Sequence, residues 1–210
     1  PPPSQLPATL GAFQRYLQAR DGLAPLIRIG LLHVQFDTIH PYLHGNGRMG
    51  RLLITLLLEH WGILRQPSLY LSVYLRQHQA EYQRRLQAVR VEGDWEGWLA
   101  FFLDGVATVA EHAVATIQDM RALAASSRAR VLEHHAASVV SLQLLEVLPR
   151  HPVVTGRSVV QILEITRPTS GKAIDVLEDC GVLVEVTGRM RDRVYHYGRY
   201  LDRLGQELGD

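Results

Sequence analysis

HPYLHGNGRMGR, residues 40–51, is the stretch that decides this fold, because it interrupts two apolar segments with helical periodicity. It contains two histidines, two arginines and three glycines. Glycine allows backbone conformations and close approaches that a side chain would block. The stretch therefore predicts a loop that presents its backbone to a ligand and then opens a second helix.

The residues Gly45-Asn46-Gly47 predict an anion site at the start of that helix. The first N–H groups of a helix have no partner within it, and the helix dipole is positive at this end. Arg48 and Arg51 lie three residues apart, so both can face the same ligand. Two guanidinium groups beside the positive end of a dipole are favourable when a polyanion such as a di- or triphosphate binds there.

His40 is the candidate base of this site. Pro41 disfavours a helical conformation at the residue before it, so we expect His40 to leave the helix and face the phosphate site. A neutral imidazole can take a proton from a hydroxyl group near neutral pH. The plain alternative is a glycine-rich connection with surface arginines and incidental histidines. The convergence of all these residues in one loop argues against that alternative.

Residues 40–51 closely resemble the signature of Fic proteins, His-Pro-Phe-x-(Asp/Glu)-Gly-Asn-Gly-Arg-x-x-Arg, with Tyr42 in place of Phe. The helical segments on both sides extend the resemblance over residues 5–120. The segment GDWEGWLAFFLDGV, residues 93–106, is similar to Fic proteins that carry a C-terminal winged helix. The resemblance implies transfer of a nucleotidyl group, usually AMP from ATP with Mg²⁺, to a Ser, Thr or Tyr hydroxyl of a protein substrate.

The resemblance also implies a role for each matching residue. His40 would deprotonate the accepting hydroxyl. Residues 45–47 would hold the α-phosphate, with a further contact from the side chain of Asn46. Arg48 would bind the outer phosphates, and Arg51 would assist on the γ-phosphate side.

His44 departs from the pattern, because it stands where the family has the Asp or Glu that binds Mg²⁺. Mg²⁺ prefers oxygen ligands, and a neutral imidazole is a poor substitute. Three interpretations stay open: the activity is reduced or lost, Mg²⁺ binds through nucleotide phosphates and water, or the donor or the reaction differs. A transition-metal pair of His40 and His44 is disfavoured, since both lie in a loop rather than on one helix face. His33 and His60 fall within helical segments and are expected to be core or capping residues.

Two regulatory elements of the family do not occur in residues 1–210. The pattern of the inhibitory helix is (Ser/Thr)-x-x-x-Glu-(Gly/Asn), and Glu92-Gly93 has Ala88 where the hydroxyl residue should be. The substrate-docking flap of similar proteins comes just before a proline run like that of residues 1–3. We therefore expect both elements to lie N-terminal to Pro1. The competing function is that of a nucleotide- or DNA-binding regulator that has lost catalysis.

Periodicity predicts a mainly α fold with two domains. Up to residue 121 the pattern is helical, including a helix from Pro25 to Ile39, a helix at 51–62 that is apolar on all sides, a single helix at 68–91 and a last one capped by Asp94. Three short helices and two alternating strands follow, an order typical of a winged helix-turn-helix with a β-hairpin wing. The predicted domains are a Fic-type helical bundle at 1–125, a linker at 126–136 and a winged helix-turn-helix domain at 137–210.

The charged residues of the second domain do not decide whether its partner is DNA or a protein. The strand connection places Arg189, Arg191 and Arg193 close together, and Arg167 and Lys172 flank the expected recognition helix, so contact with DNA is one interpretation. This domain, however, contains nine Lys/Arg and ten Asp/Glu, unlike the basic surface of a dedicated DNA-binding protein. The alternative is a docking element for a partner or for a second copy of the chain in a homodimer.

Composition is that of a globular protein, with 47% hydrophobic and 20% charged residues. Lys and Arg number 22 against 21 Asp and Glu, so the net charge indicates neither nucleic acid nor membrane as a partner. The longest apolar run, residues 52–58, is far shorter than the roughly 20 residues of a membrane span. The single cysteine, Cys180, is expected to be a structural thiol, which favours a reducing, cytoplasmic setting.

Overall fold

A computed structural model describes residues 1–19, 22–65 and 69–208. The chain divides into two compact units, Pro1–Val114 and Ala115–Asp210. Pro25 lies in the first turn of the second helix, where its missing N–H is not needed, which confirms the predicted start of that helix. The helices of the first unit and the one that passes its boundary are α1 Leu6–Gln18, α2 Pro25–Ile39, α3 Asn46–His60, α4 Leu71–Gln77, α5 Gln79–Glu92 and α6 Trp95–Glu133.

Helices α2 and α3 lie at the centre of the first unit's core. Ile29 of α2 is fully buried, and Ile54 of α3 is 2% exposed. Gly30 allows α6 to approach α2 closely, since a Cβ atom there would lie 3.0 Å from Leu99 and 3.1 Å from Phe102. The loop of residues 40–45 is therefore carried between two helices whose positions are fixed by tight packing.

Helix α3 is not buried on all sides, so that prediction is wrong. It begins at Asn46, within the Gly45-Asn46-Gly47 stretch predicted to open it, but Leu52 and Leu56 are 47% and 52% exposed. Its buried residues follow one stripe at helical spacing: Asn46, Gly50, Ile54, Leu57 and Leu58. Leucines on every face of a segment thus do not establish burial of every face.

The single helix predicted for residues 68–91 is two helices, and Ser68 itself lies outside the described residues. His78 separates α4 from α5, with φ −104° and ψ 34°. Its ring stacks on that of Tyr74 at 4.2 Å between centroids, and its Nδ1 lies 3.0 Å from the Tyr74 carbonyl oxygen. The cap of α6 is as predicted, because Asp94 Oδ1 accepts the N–H of Gly97 at 2.9 Å.

The boundary between the units falls within α6, between Val114 and Ala115, and not in a linker at 126–136. The helix continues to Glu133, and Ser127 and Val131 are fully buried in the second unit. Residues 122–130 contain few large apolar side chains. Their hydrophobic periodicity is therefore weak, although their backbone is helical.

The second unit contains a small sheet and four further helices after α6. Its strands β1 Val153–Thr155, β2 Val184–Glu185 and β3 Val194–His196 pair antiparallel in the order β1-β3-β2. Serine and threonine side chains form capping boxes at α7 Val139–Val147, with Ser138 and Ser141, and at α8 Gly156–Leu163, with Thr155 and Ser158. The other two helices are α9 Arg167–Asp179 and α10 Gly198–Leu208. The sequence did not indicate β1 or α10.

Within the described part of the chain, α6 is the one helix long and apolar enough to cross a membrane by length and composition alone. Trp98 and Phe102, near its start, are fully buried in the core of the first unit. The start of α6 therefore packs within the first unit.

Candidate active site

His40 lies directly after α2 in a left-handed backbone conformation, with φ 50° and ψ 59°. Its N–H donates to the Phe36 carbonyl at 3.0 Å and so closes the last turn of the helix. A residue other than glycine in this conformation carries strain, commonly of order 1–3 kcal/mol. The predicted departure from the helix before Pro41 is confirmed, and the His40 side chain is exposed.

Gly45 begins α3 as its N-cap, with φ 84°. Glycine suits this left-handed conformation, and it has no side chain with which to cap the first N–H groups of the helix. A Cβ atom at Gly47 would lie 3.4 Å from the guanidinium of Arg51. The start of α3 thus has the small residues and the unoccupied backbone donors that an anion site needs.

The side chain of Asn46 holds the loop together. It is 2% exposed. Its Oδ1 accepts the N–H of Tyr42 at 2.9 Å, and its Nδ2 donates to the carbonyl of Tyr42 at 2.6 Å. These two hydrogen bonds brace the loop, and the phosphate contact expected from this side chain stays a prediction.

The remaining loop residues differ in exposure. Arg48 and His44 are exposed, and Arg51 is half-buried on the first turns of α3. Tyr42 is 52% exposed, with its ring 6.5 Å from that of Phe36. Leu43 is 94% exposed. The structure thus brings residues 40–51 together in one loop and helix start, as the motif predicts.

A carboxylate-held Mg²⁺ does not fit the residues of this loop. His44 offers an imidazole where an oxygen ligand is needed. Among the described residues, no group of three or more His, Cys, Asp or Glu side chains could hold a metal ion. The carboxylate near the end of α2, that of Asp37, is paired with Arg90 at 2.6 Å.

Arg90 of α5 holds the end of α2, a role that the sequence does not reveal. Besides the pair with Asp37, its Nη2 lies 3.3 Å from the Asp37 carbonyl oxygen, and its Nε lies 3.4 Å from Thr38 Oγ1. These residues directly precede Ile39 and His40. Arg90 therefore fixes the chain just before the candidate base.

Replacement of Arg90 with glutamine is expected to slow any reaction that uses His40 by several-fold, because the end of α2 loses its anchor. The matched control is Arg84→Gln, since Arg84 lies on the same helix and pairs with Glu81 of that helix. Steady-state rates of the two variants provide the measurement. Equal rates in both variants would contradict this role of Arg90.

His33 is a core residue, as predicted, and is 1% exposed. Burial lowers the pKa of His33 below its ordinary value, so the folded protein keeps this imidazole neutral. His60, by contrast, is exposed in the last turn of α3.

Stability is expected to fall in mildly acidic solution through His33. The unfolded chain binds a proton on this histidine below about pH 6.5, whereas the folded chain does not, so the free energy of unfolding decreases as the pH falls. The slope for one such group is at most about 1.4 kcal/mol per pH unit. Urea unfolding between about pH 5 and pH 8 measures it. His33→Asn should show a smaller slope, and an unchanged slope would contradict this assignment.

The basic residues predicted for DNA contact lie in two places of the second unit. Arg167 and Lys172 are exposed on α9, which also exposes Asp175 and Asp179. The arginines at 189, 191 and 193 are exposed in the connection between β2 and β3. Cys180 is half-buried, and its thiol lies 3.5 Å from the Arg130 carbonyl oxygen.

The first unit thus combines a helical frame with a glycine-rich loop, a histidine before it and two arginines after it. Residues 1–58 match the model of the Fic/DOC family. Among solved structures, the chain is similar to a Fic family protein from Desulfovibrio desulfuricans G20, with a TM-score of 0.55 and 22% identity. The match covers 94% of this chain and 56% of that protein, so the chain spans little more than half the length of its solved relative.

Proposed function

We propose that the first unit transfers AMP from ATP to a Ser, Thr or Tyr hydroxyl of a protein substrate. The Fic/DOC family domain supports nucleotidyl transfer as the general reaction. The observation that carries the proposal is the position of His40 at the end of α2, one short loop away from the glycine-lined start of α3. A proton acceptor and an anion site thus lie at the two ends of one connection.

In this proposal each residue has a defined part. The backbone N–H groups at the start of α3 bind the α-phosphate, and Arg48 and Arg51 offset the charge of the outer phosphates. The substrate hydroxyl oxygen attacks the α-phosphorus while His40 takes its proton. The bond to the β-phosphate oxygen breaks, and pyrophosphate leaves. Positioning and charge stabilisation supply most of the rate, as in other phosphoryl transfers.

Calorimetric titration with ATP, with and without Mg²⁺, tests the nucleotide site. We expect ATP to bind in both conditions, because the phosphate contacts come from the backbone and the arginines. An absence of binding heat in both conditions would contradict the proposal.

Replacement of His44 with aspartate is expected to raise Mg²⁺-dependent transfer, on the order of tenfold or more, because the new carboxylate supplies a hard oxygen ligand. The control is His60→Asp, which adds the same carboxylate at the exposed far end of α3. Transfer rates over a range of Mg²⁺ concentrations provide the measurement. Equal rates in His44→Asp and the parent protein would show that a carboxylate at residue 44 is not what the site lacks.

A nucleotide- or DNA-binding regulator with weak or no catalysis is the second candidate function. His44 in the loop favours it, and so do the second unit's order of elements and its exposed arginines 189, 191 and 193. The three short helices α7, α8 and α9 come before the antiparallel pair of β2 and β3, and this order supports a winged helix-turn-helix. Asp175 and Asp179 on α9 weaken the case for DNA. Duplex binding that weakens with salt and with Arg191→Ala would support it, and ATP turnover abolished by His40→Ala would favour the enzyme.

A further inference from the structure

A buried polar contact joins three helices directly beside the loop. His33 of α2 places its Nδ1 3.0 Å from the carbonyl oxygen of Gly50 in α3. Its Nε2 lies 2.7 Å from the hydroxyl of Tyr82 in α5. The imidazole also stacks on Trp98 at 5.7 Å between ring centroids, with 17° between the planes. One side chain of α2 therefore contacts α3, α5 and α6.

The protons of this contact have one consistent arrangement. A carbonyl oxygen only accepts, so Nδ1 of His33 carries the proton and donates it to Gly50. A neutral imidazole then has its lone pair at Nε2, which accepts the hydroxyl hydrogen of Tyr82. Burial favours this uncharged form on both partners, since it lowers the pKa of His33 and raises that of Tyr82.

Gly50 makes this contact possible through its size. A Cβ atom at Gly50 would lie 3.2 Å from Cε1 of His33 and 3.3 Å from Cδ1 of Phe36. A side chain at residue 50 would therefore press against α2, and glycine lets the first turns of α3 pack there without this crowding. His40 follows α2 and the anion site begins α3, so the contact lies between the two elements that must act together.

We propose that His33 is a positioning residue, which with Tyr82 and Gly50 sets the end of α2, and hence His40, relative to the start of α3. This inference rests on the proposed function. It assigns to a buried histidine outside the loop a part in the rate of transfer and not in nucleotide binding. The anion site itself is built within α3 and its preceding loop, so ATP affinity should depend little on the contact.

Three variants test the proposal. Tyr82→Phe removes the hydroxyl and keeps the ring, and His33→Leu removes both hydrogen bonds. His33→Asn keeps a donor close to the position of Nδ1. The matched control is Leu86→Ala, one turn further along α5 in the same core, 5% exposed and without a polar contact to α2 or α3.

The expected results separate positioning from stability. At a temperature where all variants are folded, transfer at saturating ATP should fall about 10- to 100-fold in Tyr82→Phe and His33→Leu. Their ATP dissociation constants should stay within about twofold of the parent value, and His33→Asn should recover part of the rate. Leu86→Ala should lower the melting temperature and leave the rate unchanged. Parent-like rates in folded Tyr82→Phe and His33→Leu would overturn the inference and leave the proposed function intact.

Amide hydrogen exchange decides the inference without any activity. The two variants are compared under conditions that give them equal free energies of unfolding. The amides of residues 37–40 and 46–50 should then exchange faster in Tyr82→Phe than in Leu86→Ala. Equal exchange in the two variants would overturn the inference. If the parent protein shows no transfer, the proposed function fails, and this exchange experiment still tests the link between α2 and α3. Tyr82→Phe also keeps the test valid if His33→Leu does not fold.

Discussion

Replacement of His40 with alanine is expected to abolish AMP transfer, with a loss of about 10²- to 10⁴-fold, and to leave ATP binding nearly unchanged. A positioned base contributes a factor of this size. The side chain is exposed after the last turn of α2 and is not part of the glycine-lined start of α3. The variant should also fold normally, because little packing is lost at an exposed position. Single-turnover rates and calorimetric ATP titration provide the two measurements.

The control for this variant is His60→Ala, which removes an exposed histidine from the opposite end of α3. Its rate should equal that of the parent protein. A His40→Ala protein that still transfers at the parent rate would contradict the assignment of the base. Equal losses in both variants would trace the effect to the helix and not to proton transfer.

Replacement of Asn46 with aspartate is expected to destroy the nucleotide site. The new carboxylate can still accept the Tyr42 N–H, but it cannot donate to the Tyr42 carbonyl, which lies 2.6 Å from Nδ2 in the parent. A buried polar contact of this kind costs about 1–3 kcal/mol when one partner is lost. The substitution also places a negative charge at the start of α3, close to the backbone N–H groups that are proposed to hold the α-phosphate. ATP affinity should therefore fall at least tenfold. The melting temperature should also fall, because a buried hydrogen bond is lost.

The control for the added charge is Gln14→Glu, on the exposed face of α1. It should change neither ATP affinity nor stability by a measurable amount, as is usual for surface substitutions. Retention of parent affinity by Asn46→Asp would show that the brace between Asn46 and Tyr42 is not needed to form the site.

The sequence predicts the loop well because its chemistry is local. The break at His40 before Pro41, the positive φ of Gly45 and the helix that starts directly after Gly45 all follow from preferences of adjacent residues. The same local rules place the start of α2 at Pro25 and the cap of α6 at Asp94. Such features depend on a few neighbouring residues and need no knowledge of the folded core.

The contacts that support the loop could not be predicted, because they join distant parts of the chain. Arg90 and Asp37 are 53 residues apart, and His33 and Tyr82 are 49 apart. The exposure of Leu52 and Leu56 likewise depends on which elements surround α3. The hydrogen bonds between Asn46 and the Tyr42 backbone could not be predicted either, since a sequence motif does not reveal which groups its amide side chain contacts.

The boundary at Val114 was missed because α6 continues through it without a change in backbone conformation. Linkers are commonly recognised by weak hydrophobic periodicity, and residues 122–130 have that property although they are helical. Ser127 is fully buried, and its hydroxyl oxygen lies 3.1 Å from that of Tyr197 within the second unit. A serine in the sequence does not indicate such burial. A helix that continues through a boundary between two units therefore leaves no clear signal of that boundary in the sequence.

Transfer of label from ATP tests the central claim most directly. The protein is incubated in parallel with ATP labelled at the α-phosphate and with ATP labelled at the γ-phosphate, together with a cell extract as a source of acceptor proteins. The α-label should become covalently attached to protein, the γ-label should not, and His40→Ala should remove the signal. Attachment of the γ-label, or no attachment of label from any nucleoside triphosphate, would contradict nucleotidyl transfer by this site.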